Sequence, residues 1–132
     1  MGLVAVAAEC FGDLMYKYKH VTTVDADIDS TFEWFEHEGS FRRLMPPWEV
    51  AEEVRADETI EVGSQRVFRF PMGPLKMTWV AEHTAYEPPH HFADKMVKGP
   101  FWHWTHDHNL RQSEGKTEVV DDVTYQVPFG AL

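Results

Sequence analysis

The stretch Trp102-His103-Trp104-Thr105-His106-Asp107-His108-Asn109-Leu110 decides how this chain is read. Side chains on a β-strand alternate between two faces. Trp102, Trp104, His106, His108 and Leu110 therefore share one face, and apolar residues at both of its ends point it inward. Two imidazoles then sit in the middle of an apolar row. A buried polar group needs a partner or its burial costs free energy. The residues that meet these rings, or a ligand that does, define the functional question.

The neighbouring segments supply candidate partners. Glu114-Gly115 reads as the turn of a tight hairpin, so Ser113 pairs with Lys116 and the register sets His108 opposite Asp121. The same register sets His106 opposite Val123 and Trp104 opposite Tyr125. A bulge at the turn would shift the pairing by one residue and undo it. The preceding hairpin is expected to turn near Lys98-Gly99, which brings Asp94 beside Trp104 and diagonally close to His106. Asp94, His106, His108 and Asp121 then form one polar cluster with aromatic walls. A carboxylate beside an imidazole favours its charged form, whereas burial opposes it.

Outward from this hairpin, the β pattern is continuous from Trp48 on. Candidate strands are Glu49–Arg55, Ser64–Phe70, Lys76–Glu87, Phe92–Val97, Trp102–Gln112 and Glu118–Val127. Turn-forming pairs such as Asp57-Glu58, Pro88-Pro89 and Glu114-Gly115 separate them, which favours consecutive antiparallel hairpins. Towards the start, Leu14–Val24 reads as a further strand, with Tyr16, Tyr18, His20 and Thr22 on one side. The capping residues of Asp25–Ser30 lead into a short helix, Asp29–His37, that Gly39 ends. Ser40 caps a second short helix carrying Phe41, Leu44 and Met45, and Pro46-Pro47 stops it. Trp48 then packs that helix or gates a cavity mouth. Residues 1–13 read as a flexible leader and residues 14–132 as one domain.

The 132 residues fit a single domain, and 22 acidic against 12 basic residues give a formal net charge of -10. That field argues against nucleic acid and against anionic membrane surfaces. No apolar run is long enough to span a bilayer, so membrane insertion is not expected. The single cysteine, Cys10, cannot form an internal disulfide, and the opening residues lack the basic region of a secretory signal. The expected location is the cytoplasm. Five Trp, nine Phe and four Tyr can fill a core or line a cavity.

The order strand, two short helices, six strands resembles the START/SRPBCC helix-grip superfamily. The segments 32–49, 79–94, 99–108 and 121–130 resemble one bacterial branch of it: the ligand-binding, polyketide cyclase/dehydrase-like SRPBCC domain found ahead of an epimerase domain in fusion proteins. The resemblance implies an α+β helix-grip fold, with a curved antiparallel sheet around an elongated hydrophobic cavity. The chain departs from that pattern in two places. The family's long terminal helix is missing, so the sequence reads as a fragment or as a sheet covered by another chain. The first helix carries Phe35 and Glu38 where a His and a Pro are expected. No Gly-rich dinucleotide fingerprint occurs.

Three roles for the polar cluster stay open: a satisfied structural network, the polar end of a small-molecule site, or a His–Asp general base. The expected function is non-catalytic binding of a hydrophobic or amphipathic small molecule in an internal cavity, and the resemblance implies an accessory role beside an epimerase/reductase-like domain. The ligand-contacting candidates are Trp79, His83, Phe92, Asp94, Trp104, His106, His108, Asp121 and Tyr125. Trp79 and His83 read equally well as plain core. The alternatives are a small cyclase, dehydratase or hydrolase using His108 and Asp121, or a module that docks through an open sheet face. No cofactor and no metal are expected, since His-X-His on a strand is a weak metal signal alone. Possible protein partners are a second copy of the chain or a neighbouring epimerase-like domain. His90-His91 reads as an exposed turn.

Overall fold

The computed structural model describes residues 2–11, 15–37 and 51–127. They form one antiparallel sheet of eight strands and one helix: β1 (Gly2–Phe11), β2 (Met15–Val24), α1 (Ile28–Glu36), β3 (Glu52–Ala56), β4 (Gln65–Met72), β5 (Leu75–Glu87), β6 (His91–Lys98), β7 (His103–Ser113) and β8 (Lys116–Gln126). Spatial order is β1-β2-β8-β7-β6-β5-β4-β3. The strands from β3 to β8 follow as successive hairpins, and β8 closes back on β2 near the start of the chain. This curved sheet with a helix after an early strand is the helix-grip α+β fold. The expected second helix at Ser40–Met45, Trp48 and the segment after Val127 lie outside the described residues.

One element differs from the expectation of a leader. Gly2–Phe11 runs antiparallel along β2, with a register break between Val6 and Glu9. Without it, β2 would present a row of unpaired backbone groups at a sheet edge.

Helix α1 starts where the sequence offers a cap. The Asp27 side chain accepts a hydrogen bond from the Ser30 N–H at 3.3 Å, which satisfies one of the orphan donors of the first turn. Its inner side carries Ile28, Thr31 and Phe32, all buried. Phe32 packs edge-on to Phe92 of β6, with ring centroids 5.6 Å apart. Ile28, Phe32, Ile60, Phe92, Leu110 and Val119 form the core under the helix. Two polar bonds tie the helix to the sheet: Ile28 N–H donates to Gln112 Oε1 at 3.3 Å, and Tyr86 Oη donates to Glu36 Oε2 at 2.7 Å. The Glu36 hydrogen bond, together with burial, pushes the Tyr86 phenol up to about 12.

The β7–β8 hairpin has the register its turn dictates. Ser113 pairs with Lys116, His108 with Asp121, His106 with Val123 and Trp104 with Tyr125. Glu114 and Gly115 both take positive φ, 53° and 77°, as a two-residue hairpin turn requires. The β6–β7 register differs by two residues from expectation: Asp94 pairs with His106, and Phe92 with His108. The cause is the connection. Residues 99–102 all stay out of the ladder, because Phe101 turns in against Trp79, Trp104 and Tyr125 with centroids 5.7, 5.0 and 5.8 Å away. An even shift keeps Asp94 on the expected face. Trp102 precedes the strand and is exposed, so it does not continue the inward row.

The turn gives a direct test. Glu114 holds a left-handed conformation that a side chain with a Cβ disfavours, whereas Asn tolerates it. Glu114→Asn is expected to stabilise the domain by about 0.5–1 kcal/mol, seen as a higher urea midpoint with an unchanged slope. Gly115→Ala is expected to lower the midpoint.

Candidate functional site

Pairing in register brings two rows of polar residues across the concave face. One row runs His20 (β2), Asp121 (β8), His108 (β7) and Phe92 (β6); the next runs Val123 (β8), His106 (β7), Asp94 (β6) and His83 (β5). Directly paired residues in an antiparallel sheet share a face, so side chains from β2 and from β5 to β8 converge on one region.

His108 occupies its centre. Its Nε2 lies 3.3 Å from Asp94 Oδ2, and its Nδ1 lies 2.9 Å from Asp121 Oδ1. The second contact is short but poorly aligned as a hydrogen bond, so it acts as an ion pair. His106 Nε2 lies 3.0 Å from the same Asp121 oxygen. His20 Nδ1 stands 3.8 Å from Asp121 Oδ2. Aromatic faces sandwich the central ring: Phe92 stacks on it at 4.1 Å and 6°, and His106 at 3.8 Å and 29°. His108 is only 8% exposed.

Burial works against a charge on His108, but the close carboxylates of Asp121 and Asp94 outweigh it and raise the imidazole to about 9. Burial would raise Asp121, yet His106 and His108 hold it well below the ordinary carboxylate range. Asp94 is also lowered against the effect of burial, by its hydrogen bond to His108 and by the neighbouring histidines. His83 moves the other way. Its burial lowers it, and its ring meets Ser64, whose Oγ and carbonyl oxygen both lie 3.3 Å from Nδ1.

Above this floor, between α1 and the sheet, lies a cavity of about 720 Å³. His20, His106, His108 and Asp121 supply its polar side. Thr22, Val24 and Val119 from the strands, with Trp34 and Phe35 from the helix, supply most of the rest. Trp34 and Phe35 pack edge to face at 5.1 Å.

Of the residues expected to meet a ligand, His106, His108 and Asp121 border this cavity, and Asp94 stands behind them as the second partner of His108. Phe92 and His83 are buried in the wall. Trp79, Trp104 and Tyr125 are not among its lining residues. They stack with Phe68, Phe101 and Tyr16 as a separate aromatic cluster further along the concave face. Large aromatic rings satisfy each other at such distances, which is why they fill space instead of enclosing it. His20, Trp34 and Phe35 border the cavity without having been singled out. The alternation of β2, which puts His20 and Thr22 on one side, was the signal for the first. His90-His91 is not a plain turn: His91 opens β6 and pairs with Glu87 at 2.9 Å and Asp107 at 2.8 Å. Burial opposes its charge, but these two carboxylates raise it.

No family model matches the chain, and no curated protein matches it. Solved structures do. A protein from Arthrobacter aurescens is 19% identical with a TM-score of 0.69, over 94% of this chain and 76% of its own. Ginseng major latex-like protein 151 from Panax ginseng is 18% identical with a TM-score of 0.63, over 86% of this chain and 80% of its own. The nucleoside-diphosphate sugar epimerase from Corynebacterium glutamicum is 22% identical with a TM-score of 0.69, over 80% of this chain but only 23% of its own. At these identities the likeness establishes the shared fold.

The cluster makes stability depend on pH in a defined way. His108 holds its proton more tightly in the folded chain, so its contribution is full below its ordinary value of 6.5 and is lost as pH rises through about 9. Asp94 and Asp121 hold protons less tightly when folded, so their contribution is lost as acid protonates them. His83, kept neutral by burial, also loses its contribution below its ordinary value. The thermal midpoint is expected to peak near pH ~6.5 and fall on both sides. Asp121→Asn should flatten the alkaline fall. A wild-type midpoint that stays level from pH ~6.5 to ~9 would contradict the charge assignment of His108.

Proposed function

We propose that this domain binds a hydrophobic or amphipathic small molecule, without covalent chemistry, in the cavity between α1 and the sheet. The observation that carries this reading is the composition of that cavity. It measures about 720 Å³, its exposed lining is chiefly apolar, and His20, His106, His108 and Asp121 stand together on its sheet side, with Thr22 from β2 and Ser30 and Thr31 from the helix as its other polar residues. Small-molecule sites run from about 300 to 1,000 Å³ and have this character. Val24, Trp34, Phe35 and Val119 would enclose an apolar skeleton. His20, His106 and Asp121 would meet its polar end, with His108 and Asp94 holding Asp121 and His106 in place. Trp79, Trp104 and Tyr125 support the far end of the same face.

The fold likeness to part of a sugar epimerase supports a place for such a domain beside an epimerase- or reductase-like unit, to which it would present its ligand. Proton-transfer chemistry through His108 fits less well. A general base needs a free nitrogen lone pair, and His108 is enclosed as an imidazolium between two carboxylates.

Native followed by denaturing mass spectrometry of the purified protein tests the reading, together with titration by a panel of apolar fluorescent probes. The expected result is a released or titratable compound at one per chain. Thr22→Trp, which fills the cavity from β2, is expected to weaken probe binding at least about tenfold, equivalent to ~1.4 kcal/mol, with the thermal midpoint little changed. No binding by wild type, or equal binding by Thr22→Trp, would remove the basis of the proposal.

A further inference from the structure

Asp94, His106 and His108 have a geometry that the small-molecule reading does not use. One donor atom from each lies within 4.8 Å of the donors of the other two. All three side chains are mostly enclosed: 18%, 24% and 11% exposed. We propose that these three residues form a binding site for a divalent transition-metal ion of the zinc type, at the polar end of the cavity.

Three observations carry this. The first is a spacing. His108 Nε2 and Asp94 Oδ2 stand 3.3 Å apart. A charge-assisted hydrogen bond between such groups closes to about 2.7–2.9 Å. Two donors held at about 2.0–2.2 Å from one tetrahedral ion stand about 3.3–3.6 Å apart. The spacing is long for a charge-assisted hydrogen bond and matches that of two donors on one ion.

The second observation is the placement of Asp121. It lies 2.9 Å from His108 Nδ1 and 3.0 Å from His106 Nε2. A histidine that binds a metal through one ring nitrogen usually gives the other to a carboxylate, which orients the ring and raises its basicity. Asp121 stands on the Nδ1 side of His108 as an ion-pair partner, and the Nε2 of that ring lies nearest Asp94. The same carboxylate fixes the ring of His106.

The third observation is composition and access. Two imidazoles and one carboxylate are a donor set for zinc, cobalt, nickel or ferrous ions, whereas magnesium and calcium take oxygen donors. His106 and His108 border the cavity, so a fourth position is reachable from it. Three protein donors plus one open position is the pattern of metal sites that act on a bound molecule. The ion would replace the proton between His108 and Asp94 and offset the second carboxylate of the cluster.

The test uses the full chain, stripped with a chelator and equilibrated with Zn²⁺ or Co²⁺ alone. Metal per chain is counted after desalting, and the Co²⁺ sample is read by its visible absorption. One ion per chain and a visible Co²⁺ band are expected, with a raised thermal midpoint. Asp94→Ala and His106→Gln should each lose the stoichiometric ion and the band. Asp121→Asn should keep the ion but with affinity about 10- to 100-fold weaker. His91→Ala, which alters the histidine paired with Glu87 and Asp107, should change nothing. Should Asp94→Ala fail to give a folded far-ultraviolet spectrum, Asp94→Asn and His106→Gln carry the test. Absence of a retained ion in wild type overturns the proposal. Retention unchanged in both the Asp94 and His106 variants, or loss in His91→Ala, also overturns it by placing the ion elsewhere.

Discussion

The buried imidazolium of His108, held between Asp94 and Asp121, is the constraint around which the sheet is arranged. It joins β6, β7 and β8 through side chains as well as through the backbone ladder. A slip of one residue between any two of these strands would turn a carboxylate to the outer face. It would leave a charged ring without a partner in an apolar setting. Removing one member of a buried ion group costs about 3–5 kcal/mol, even though the intact group adds little net stability. The cluster therefore acts chiefly against wrong registers. Its stacking on Phe92 links that same specification to the core under α1, because Phe92 also meets Phe32 and Phe35 of the helix.

Along the concave face, this cluster divides two kinds of packing. On one side Trp79, Trp104, Phe101, Tyr125 and Tyr16 stack on one another. On the other, α1 lies across the sheet by way of Ile28, Phe32 and Phe35, and the space between helix and strands is not filled. The helix is short, and its inner face is used for the core at Phe32. Trp34 and Phe35, two and three positions further on, border the cavity.

Much of this was legible in the residues, and the failures have physical causes. The β7–β8 register followed from Glu114-Gly115, because a two-residue turn leaves no freedom in the count. The β6–β7 register did not follow from Lys98-Gly99. There the loop length is set by the burial of Phe101 in a distant aromatic cluster, which turn chemistry does not encode. The pairing of His20 with Asp121 joins strands near opposite ends of the chain, so no turn announces it. For that reason the sequence placed His20 on one side of its strand with Tyr16, Tyr18 and Thr22 but not in the site. Trp79, Trp104 and Tyr125 were read as ligand contacts because aromatic residues suit either role. The structure stacks them on one another and on Phe68, Phe101 and Tyr16, outside the lining of the cavity under α1.

Charge balance ties the fold to the function. Asp94 and Asp121 keep their charges against burial, and His108 holds its proton between them, so the cluster sets strong charges beneath the cavity. Asp121 Oδ2 has the His20 ring at 3.8 Å, a distance too long for a hydrogen bond. A low-dielectric cavity strengthens whatever attraction this oxygen exerts. Asp121 borders the cavity together with Trp34 and Phe35. A donor on a bound molecule, or a cation lodged among Asp94, His106 and His108, would meet this charge. The residues that fix the register of the sheet are thus the same ones that give the cavity its recognition chemistry.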